Sequence, residues 1–171
     1  MLIVKIMGIP CMAKFDRIDI AILDQLQRDG RLSNVELADR VGLSESACLR
    51  RVKGLDGEGV ITHYAAHLDA TGVGLPGTVF VRVSLSSQRE EQLLTFEGAV
   101  AHVPEVMECY LMSGDVDYII RVVVKDAPDY ERVHHILTSL PGVDRVHSSF
   151  ALRTILRRTR LPLSGPKEPI Q

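Results

Sequence analysis

Three cationic residues, Arg50, Arg51 and Lys53, lie close together in the segment LSESACLRRVKGL, which spans residues 43–55. The chain of 171 residues carries a formal net charge of -2, so this positive charge is local. Arginine and lysine bind phosphate oxygens through charge-assisted hydrogen bonds, which makes the cluster a candidate contact for nucleic acid. A solvated helix face is the alternative that the cluster by itself leaves open.

Short helices are predicted around this cluster. Asp16 is a suitable N-cap for an apolar stripe of helical period that ends near Gly30. Ser33 and Glu36 have the spacing of a capping box, and Ser44 can cap the next helix. A short helix, a turn that contains glycine and a second capped helix are typical of a helix-turn-helix.

The last of these helices would present the cations to DNA. Its apolar stripe is Cys48, Val52 and Leu55, which leaves the charged side chains mostly off the buried side. In a helix-turn-helix this helix enters the major groove, so Ser46 and Ala47 in its first turn would lie nearest the bases. The expected DNA-binding residues are Ser33, Ser44, Ser46, Ala47, Arg50, Arg51 and Lys53.

The C-terminal two thirds of the chain alternate between predicted strands and helices. The run TVFVRVSLS alternates apolar and polar residues, as a strand with one buried face does. The predicted order is strand 78–86, helix 88–103, a hairpin of strands 106–112 and 116–124, a helix that ends before Pro141, and strand 143–156. This β-α-β-β-α-β order is ferredoxin-like.

The chain is therefore predicted to be an α+β protein. It would have an N-terminal helix-turn-helix domain, winged-helix-like, and a C-terminal ferredoxin-like βαββαβ domain. The expected boundaries are 13–60 for the helix-turn-helix domain, 61–76 for a strand linker, 77–157 for the ferredoxin-like domain and 158–171 for a flexible tail. Residues 1–11 are expected to be an arm, or to precede the true start at Met12.

The composition argues against several other classes of protein. Hydrophobic residues make up 46% and charged residues 25%, which is ordinary for a globular chain. Cys11, Cys48 and Cys109 are far apart and form no C-x-x-C pair, which supports neither a disulfide framework nor a zinc site. The unpaired cysteines make a reducing cytoplasm the expected setting. No apolar stretch approaches the ~20 residues that cross a bilayer, so we expect no membrane partner. We also expect no metal, because Asp115 and Asp117 have no third acid or histidine beside them.

Several motifs in their order along the chain resemble the Lrp/AsnC, or feast/famine, transcription regulators of bacteria and archaea. These motifs are the helix-turn-helix that ends in CLRRVKGL and the later segments ECYLMSGDVDYIIRV and LPGVDRVHSSFALRTIL. The likeness spans about Phe15 to Leu163. It implies a regulator without enzymatic activity that binds double-stranded DNA and responds to an amino-acid effector. It also implies a homodimer that assembles to an octamer, and no other cofactor.

The same resemblance implies where the effector binds, since GDVDY after ECY looks like the family's effector loop. Spacing alone would favour an ordinary hairpin turn, because glycine and aspartate suit the backbone geometry of turns. In an effector loop, backbone donors would take the amino acid's carboxylate and an aspartate its ammonium. The implied effector residues are Met112, Gly114, Asp115, Asp117, Tyr118, Ser148 and Ser149.

Two alternative functions remain open at this point. Some proteins similar to this family are sirohaem decarboxylases, in which His and Arg side chains handle porphyrin carboxylates. A ligand-binding accessory subunit without strong DNA binding is the other alternative. Gly54 favours it slightly, because this family often has a basic residue there and a mid-helix glycine costs ~1 kcal/mol relative to alanine.

Overall fold

The computed structural model describes residues 15–163, which form two compact units. Within the described chain, the N-terminal unit contains residues 15–66 and 156–163, and the C-terminal unit contains His67–Ile155. The expected arm 1–11 and the last eight residues of the expected tail lie outside the described residues. The α+β class predicted from the sequence is confirmed.

Three helices form the N-terminal unit, and each begins after the polar cap that the sequence predicts. Asp16 and Ser33 each close a capping box, and the Ser44 hydroxyl accepts a hydrogen bond from the backbone N–H of Ala47 at 3.4 Å. Gly42 has a φ of 68°, a left-handed conformation that ends the second helix and turns the chain into the third. The helices are α1 (Arg17–Arg28), α2 (Asn34–Val41) and α3 (Glu45–Gly57).

The core of this unit takes one apolar stripe from each helix. Ile22 and Cys48 are fully buried and Leu37 is nearly so, which places α1, α2 and α3 around a common centre. Burial raises the pKa of the Cys48 thiol, so this cysteine is a packing residue with little thiolate character. Leu163 from the far end of the described chain also packs against this core.

The linker differs from the expectation. Within residues 15–163 no strand lies between α3 and Gly77, so the strand predicted in 61–76 and the wing of a winged helix are not formed by this chain alone. The backbone N–H and C=O groups of a strand form hydrogen bonds with a neighbouring strand. Residues 62–69 are exposed and do not pair with a strand of the described chain. The division between the units falls after Ala66, inside the expected linker.

The described part of the expected flexible tail makes contacts with the N-terminal unit. Residues 156–163 belong to the N-terminal unit and contact α1. Arg160 pairs with Asp24, and Leu161 hydrogen-bonds with Gln27. Composition did not predict this docking, because it depends on single contacts rather than on an apolar stripe.

The C-terminal unit is an antiparallel sheet with two helices on one face. The strands are in the order β2-β3-β1-β4, which confirms the predicted βαββαβ topology. The elements are β1 (Gly77–Leu85), α4 (Glu90–Val100), β2 (Val106–Leu111), β3 (Tyr118–Val124), α5 (Ala127–Thr138) and β4 (Val143–Phe150). The last strand stops at Phe150 rather than 156, and its last pairing is with Val79 of β1.

The two faces of the sheet have different surroundings. On one face, alternate residues of β1 and β3 such as Val81 and Ile120 are fully buried with Phe96 of α4 and Leu137 of α5. The side chains between them, such as Phe80 at 43% exposure, belong to the opposite face, which nothing in the described chain covers. Half of this sheet's surface therefore remains available for association.

Candidate DNA-binding and effector sites

One face of α3 combines polar and cationic side chains. Ser46, Arg50 and Lys53 stand at i, i+4 and i+7, a spacing that places all three on the same side of a helix. All three are exposed, and within residues 15–163 neither cation forms an ion pair. Leu49 is 43% exposed beside them, and sequence analysis missed it because it falls outside the buried stripe. Apolar side chains at such positions can contact thymine methyl groups.

Arg51 lies elsewhere on α3 and is already engaged. Its Nη1 donates hydrogen bonds to Asp19 Oδ1 and to Asp16 Oδ2, each at 2.7 Å. Hydrogen bonding to Asp19, followed by that to Asp16, raises the pKa of Arg51. Arg51, which was expected to contact DNA, thus connects α3 with the start of α1 through these two hydrogen bonds. The reason is rotational, since neighbouring helical residues point about 100° apart.

Two of the expected DNA-binding serines act as helix caps. Ser33 Oγ accepts from the Glu36 backbone N–H at 3.2 Å and donates to Glu36 Oε2 at 2.7 Å, which occupies the hydroxyl. The Asn34 side chain adds a link that the sequence did not reveal, because its Nδ2 donates to the Glu45 carbonyl at 2.9 Å. The starts of α2 and α3 are thereby held together.

Gly54 stands in the last turn of α3 with open space around it. A Cβ added at Gly54 meets no atom within 4 Å, and the residue has an ordinary helical conformation. Gly54→Ala is expected to stabilise the N-terminal unit by about 1 kcal/mol, because alanine loses less backbone entropy in a helix. Thermal unfolding at fixed protein concentration measures the change.

Gly59 is the matched control for Gly54. A Cβ at Gly59 also meets nothing within 4 Å, but its φ is 71°. Gly59→Ala should therefore destabilise the unit by about 1 kcal/mol, since L side chains rarely adopt the left-handed region. Equal effects from the two substitutions would show that backbone conformation does not govern this end of α3.

The expected effector loop is the turn between β2 and β3. The Met112 backbone N–H donates to the Asp117 carbonyl at 2.8 Å and closes the turn. Gly114 and Asp115 lie exposed at its tip, and no hydrogen bond or ion pair of the Asp115 side chain is found within residues 15–163. The Asp115 carboxylate is thus free to meet a cation from outside the chain.

The next two expected effector residues point inward. Asp117 is 8% exposed, and its carboxylate accepts from the Leu85 backbone N–H and from Gln88 Nε2, each at 2.7 Å. Tyr118 is 1% exposed, and its hydroxyl donates to Glu97 Oε1 at 2.8 Å. Burial, with the hydrogen bond to Glu97 next, raises the pKa of Tyr118 well above its usual range. Both side chains connect the turn to the rest of the unit through buried hydrogen bonds, whereas they were expected to contact the effector.

Ser148 and Ser149 lie on opposite faces of β4. The Ser148 hydroxyl accepts a hydrogen bond from the Tyr130 hydroxyl on the side of the helices, whereas Ser149 pairs in register with Phe80 on the uncovered face. Ser148 is opposite Val81, two residues along β1 from the position opposite Tyr118. One chain therefore does not bring these serines to the effector turn.

Metal chemistry and membrane insertion find no support in the described chain. Within residues 15–163, no three His, Cys, Asp or Glu side chains are grouped so that they could hold a metal ion. The helices of this part are too short or too polar to cross a bilayer. Burial, and then the nearby Glu97, raises the pKa of the Cys109 thiol to about 11, so this cysteine has little thiolate character.

Both units match models of one protein family. The model described as the AsnC-type helix-turn-helix domain matches residues 15–56, and the Lrp/AsnC ligand binding domain matches residues 78–161. The chain is 45% identical to the Bkd operon transcriptional regulator of Pseudomonas aeruginosa over 153 residues, which cover 89% of this chain and 100% of the relative. It is 39% identical to the Leucine-responsive regulatory protein of Escherichia coli over 147 residues, covering 85% and 90%.

Solved structures of related proteins have the same fold. A transcriptional regulator of Neisseria meningitidis in complex with L-Met is 40% identical with a TM-score of 0.82, covering 86% of this chain and 96% of that one. An AsnC family transcriptional regulator of Agrobacterium tumefaciens is 40% identical with a TM-score of 0.83, covering 86% and 97%. The chain therefore belongs to the Lrp/AsnC family of transcriptional regulators, with an N-terminal helix-turn-helix domain and a C-terminal ligand-binding domain.

Proposed function

We propose that this regulator binds double-stranded DNA through one face of α3 and that an amino acid bound at the turn between β2 and β3 changes this binding. The observation that carries the DNA contact is the exposed face of Ser46, Arg50 and Lys53. Arg50 and Lys53 would contact phosphates or guanine edges, while Ser46 and the adjacent Ala47 enter the major groove. Ser33 and Ser44 serve this site as helix caps.

The free carboxylate of Asp115 supports an amino-acid effector. It stands at an exposed turn tip beside Gly114, where backbone N–H groups and a carboxylate are available to the two charged ends of a zwitterion. Regulators from Neisseria meningitidis and Mycobacterium tuberculosis, 40% and 30% identical to this chain, have been crystallised with L-methionine. We infer that the effector of this chain belongs to the same chemical class.

The uncovered face of the sheet supports a homodimer. Phe80 and Tyr110 are 43% and 55% exposed on this face, where Tyr110 pairs with Ile119 and Phe80 pairs with Arg121. Exposed aromatic side chains on an uncovered sheet face are commonly covered by a second sheet. We infer that such dimers associate further, up to an octamer.

A regulatory role is better supported than the sirohaem decarboxylase alternative. The relatives that match most of the chain are named as transcriptional regulators. A bound tetrapyrrole would be detected by the visible absorbance of the purified protein. An accessory subunit without DNA binding would fail to shift a duplex from its own upstream region in a gel.

Asp115→Ala is expected to abolish the amino-acid response while DNA binding without effector persists. Loss of a charge-assisted hydrogen bond weakens binding by ~1.5 to 3 kcal/mol, about 10- to 150-fold. Calorimetry with L-methionine and with other amino acids, together with DNA titrations in the presence and absence of the best of them, measures both effects. Because coupling between sites is reciprocal, the effector that alters DNA affinity must bind the DNA complex with altered affinity too.

Asp144→Ala is the matched control for Asp115. Asp144 is another exposed aspartate of the C-terminal unit, on β4, and its removal changes the net charge equally. We expect it to leave amino-acid affinity unchanged. Wild-type affinity in Asp115→Ala would place the effector site elsewhere.

A further inference from the structure

The helix-turn-helix part of the chain is acidic by itself. Residues 15–66 contain seven Lys and Arg but nine Asp and Glu, a net charge of -2. Binding of DNA is dominated by phosphate neutralisation, so a net negative module is poorly suited to it unless further cations join the same surface. The ion pairs of Arg51 reduce the number of available cations further.

The described tail supplies such cations to the same unit. Residues 150–163 contain four arginines and no acidic residue, and three of the arginines, Arg157, Arg158 and Arg160, lie in the part assigned to the N-terminal unit. Residues 15–66 and 156–163 together carry a net charge of +1. The segment 156–163 therefore adds three positive charges to the unit, and the net charge of the unit's described residues changes from -2 to +1.

Specific contacts fix the segment to α1. The Leu161 backbone N–H donates to Gln27 Oε1 at 2.6 Å, and Gln27 Nε2 returns a bond to the Leu161 carbonyl at 3.4 Å. Arg160 Nη2 lies 2.6 Å from Asp24 Oδ1, and Leu163 packs into the helical core. The segment 156–163 therefore packs on the unit that carries α3.

Arg157 and Arg158 are left exposed by this docking. Within residues 15–163 neither forms a hydrogen bond or an ion pair, whereas Arg160 is occupied as the anchor. The segment docks on Asp24 and Gln27 of α1, and α1 also contacts α3 through the ion pair between Asp19 and Arg51. Arg157 and Arg158 therefore add exposed positive charge to the same unit that carries α3.

From this arrangement we propose that the segment 156–163 is a second DNA-binding element, in which Arg157 and Arg158 contact backbone phosphates beside the groove that receives α3. The inference rests on the proposed DNA binding and adds a site whose contacts do not depend on the base sequence of the DNA. It would raise affinity for all DNA equally, because phosphate contacts carry no base information.

The test is Arg157→Gln/Arg158→Gln in the full chain, titrated by fluorescence anisotropy against its own upstream duplex and a duplex of unrelated sequence. We expect the slope of log affinity against log salt to fall by about 1.8 for each bound chain, since each phosphate contact contributes about 0.9. The affinities for both duplexes should fall by the same factor. Arg89→Gln/Lys125→Gln removes two positive charges from the C-terminal unit and should leave the slope unchanged.

Gln27→Ala provides a second test without any change in charge. It removes both hydrogen bonds to Leu161, so the segment should dock less well and the salt slope should fall part of the way towards that of the double variant. Light scattering checks that the assembly is unchanged.

The outcomes separate this proposal from the proposed DNA contact of α3. An unaltered salt slope in Arg157→Gln/Arg158→Gln, with binding still sensitive to Arg50→Gln, overturns the second element and leaves the α3 site standing. An altered assembly with an unaltered slope also overturns it, because the segment would then be a contact between chains. Failure of the wild-type protein to bind either duplex overturns both proposals.

Discussion

Replacement of Asp117 by alanine is expected to destabilise the C-terminal unit by about 3 kcal/mol, because hydrogen bonds to a charged group contribute ~1.5 to 3 kcal/mol each. Two donors, the Leu85 N–H and Gln88 Nε2, converge on this buried carboxylate at 2.7 Å. Without it, the buried Leu85 N–H has no acceptor. The side-chain connection between the end of β1 and the effector turn would be lost, while the backbone hydrogen bond from Asp117 to the Val83 carbonyl would remain.

Urea unfolding followed by tyrosine fluorescence measures this loss. The chain has no tryptophan and four tyrosines, and Tyr110, Tyr118 and Tyr130 lie in the C-terminal unit, so the signal reports mainly on that unit. Protein concentration must be held constant because assembly adds to apparent stability. Asp115→Ala, two residues away and exposed, should change stability by less than about 0.5 kcal/mol. A mild effect of Asp117→Ala would show that the carboxylate does not brace the turn.

The second large effect is expected at α3, where adjacent arginines should respond differently to substitution. Arg50→Gln should weaken specific DNA binding by ~1 to 3 kcal/mol if it contacts a base, or lower the salt slope by about 0.9 if it contacts a phosphate. In either case stability should hardly change, because Arg50 is exposed and has no ion pair within residues 15–163. Competition titrations at several salt concentrations distinguish the two kinds of contact.

Arg51→Gln should instead lower stability. It breaks two ion pairs of 2.7 Å that connect α3 with Asp16 and Asp19, and partly exposed pairs of this kind contribute up to about 1 kcal/mol each. Asp16 also caps α1, and the backbone hydrogen bond from Asp19 is the largest of the causes that hold the pKa of Asp16 below its usual value. Asp16→Ala should therefore destabilise the unit at neutral pH as well. If Arg51→Gln instead lowers only DNA affinity and leaves thermal unfolding unchanged, Arg51 contacts DNA rather than stabilising the unit.

Local sequence determined the elements and their order. Asp16, Ser33 and Ser44 begin the helices that their side chains predict, since capping depends on atoms only a few residues apart. The alternation of TVFVRVSLS likewise predicted β1, because a strand with one buried face has a period of two. The same local rules extended β4 to residue 156, whereas its pairing with β1 ends at Phe150.

Tertiary packing decided which candidate residues are free to act. Sequence alone gave Arg50 and Arg51 the same role, yet only Arg51 meets the two carboxylates that α1 brings to α3. Asp115 and Asp117 look alike in the motif SGDVD, but Asp117 is buried against β1 while Asp115 remains exposed. In each pair the two residues point in different directions, and the partner that engages one of them comes from a distant part of the chain. The docking of residues 156–163 on α1 depends in the same way on contacts between residues more than a hundred positions apart, which no local pattern records.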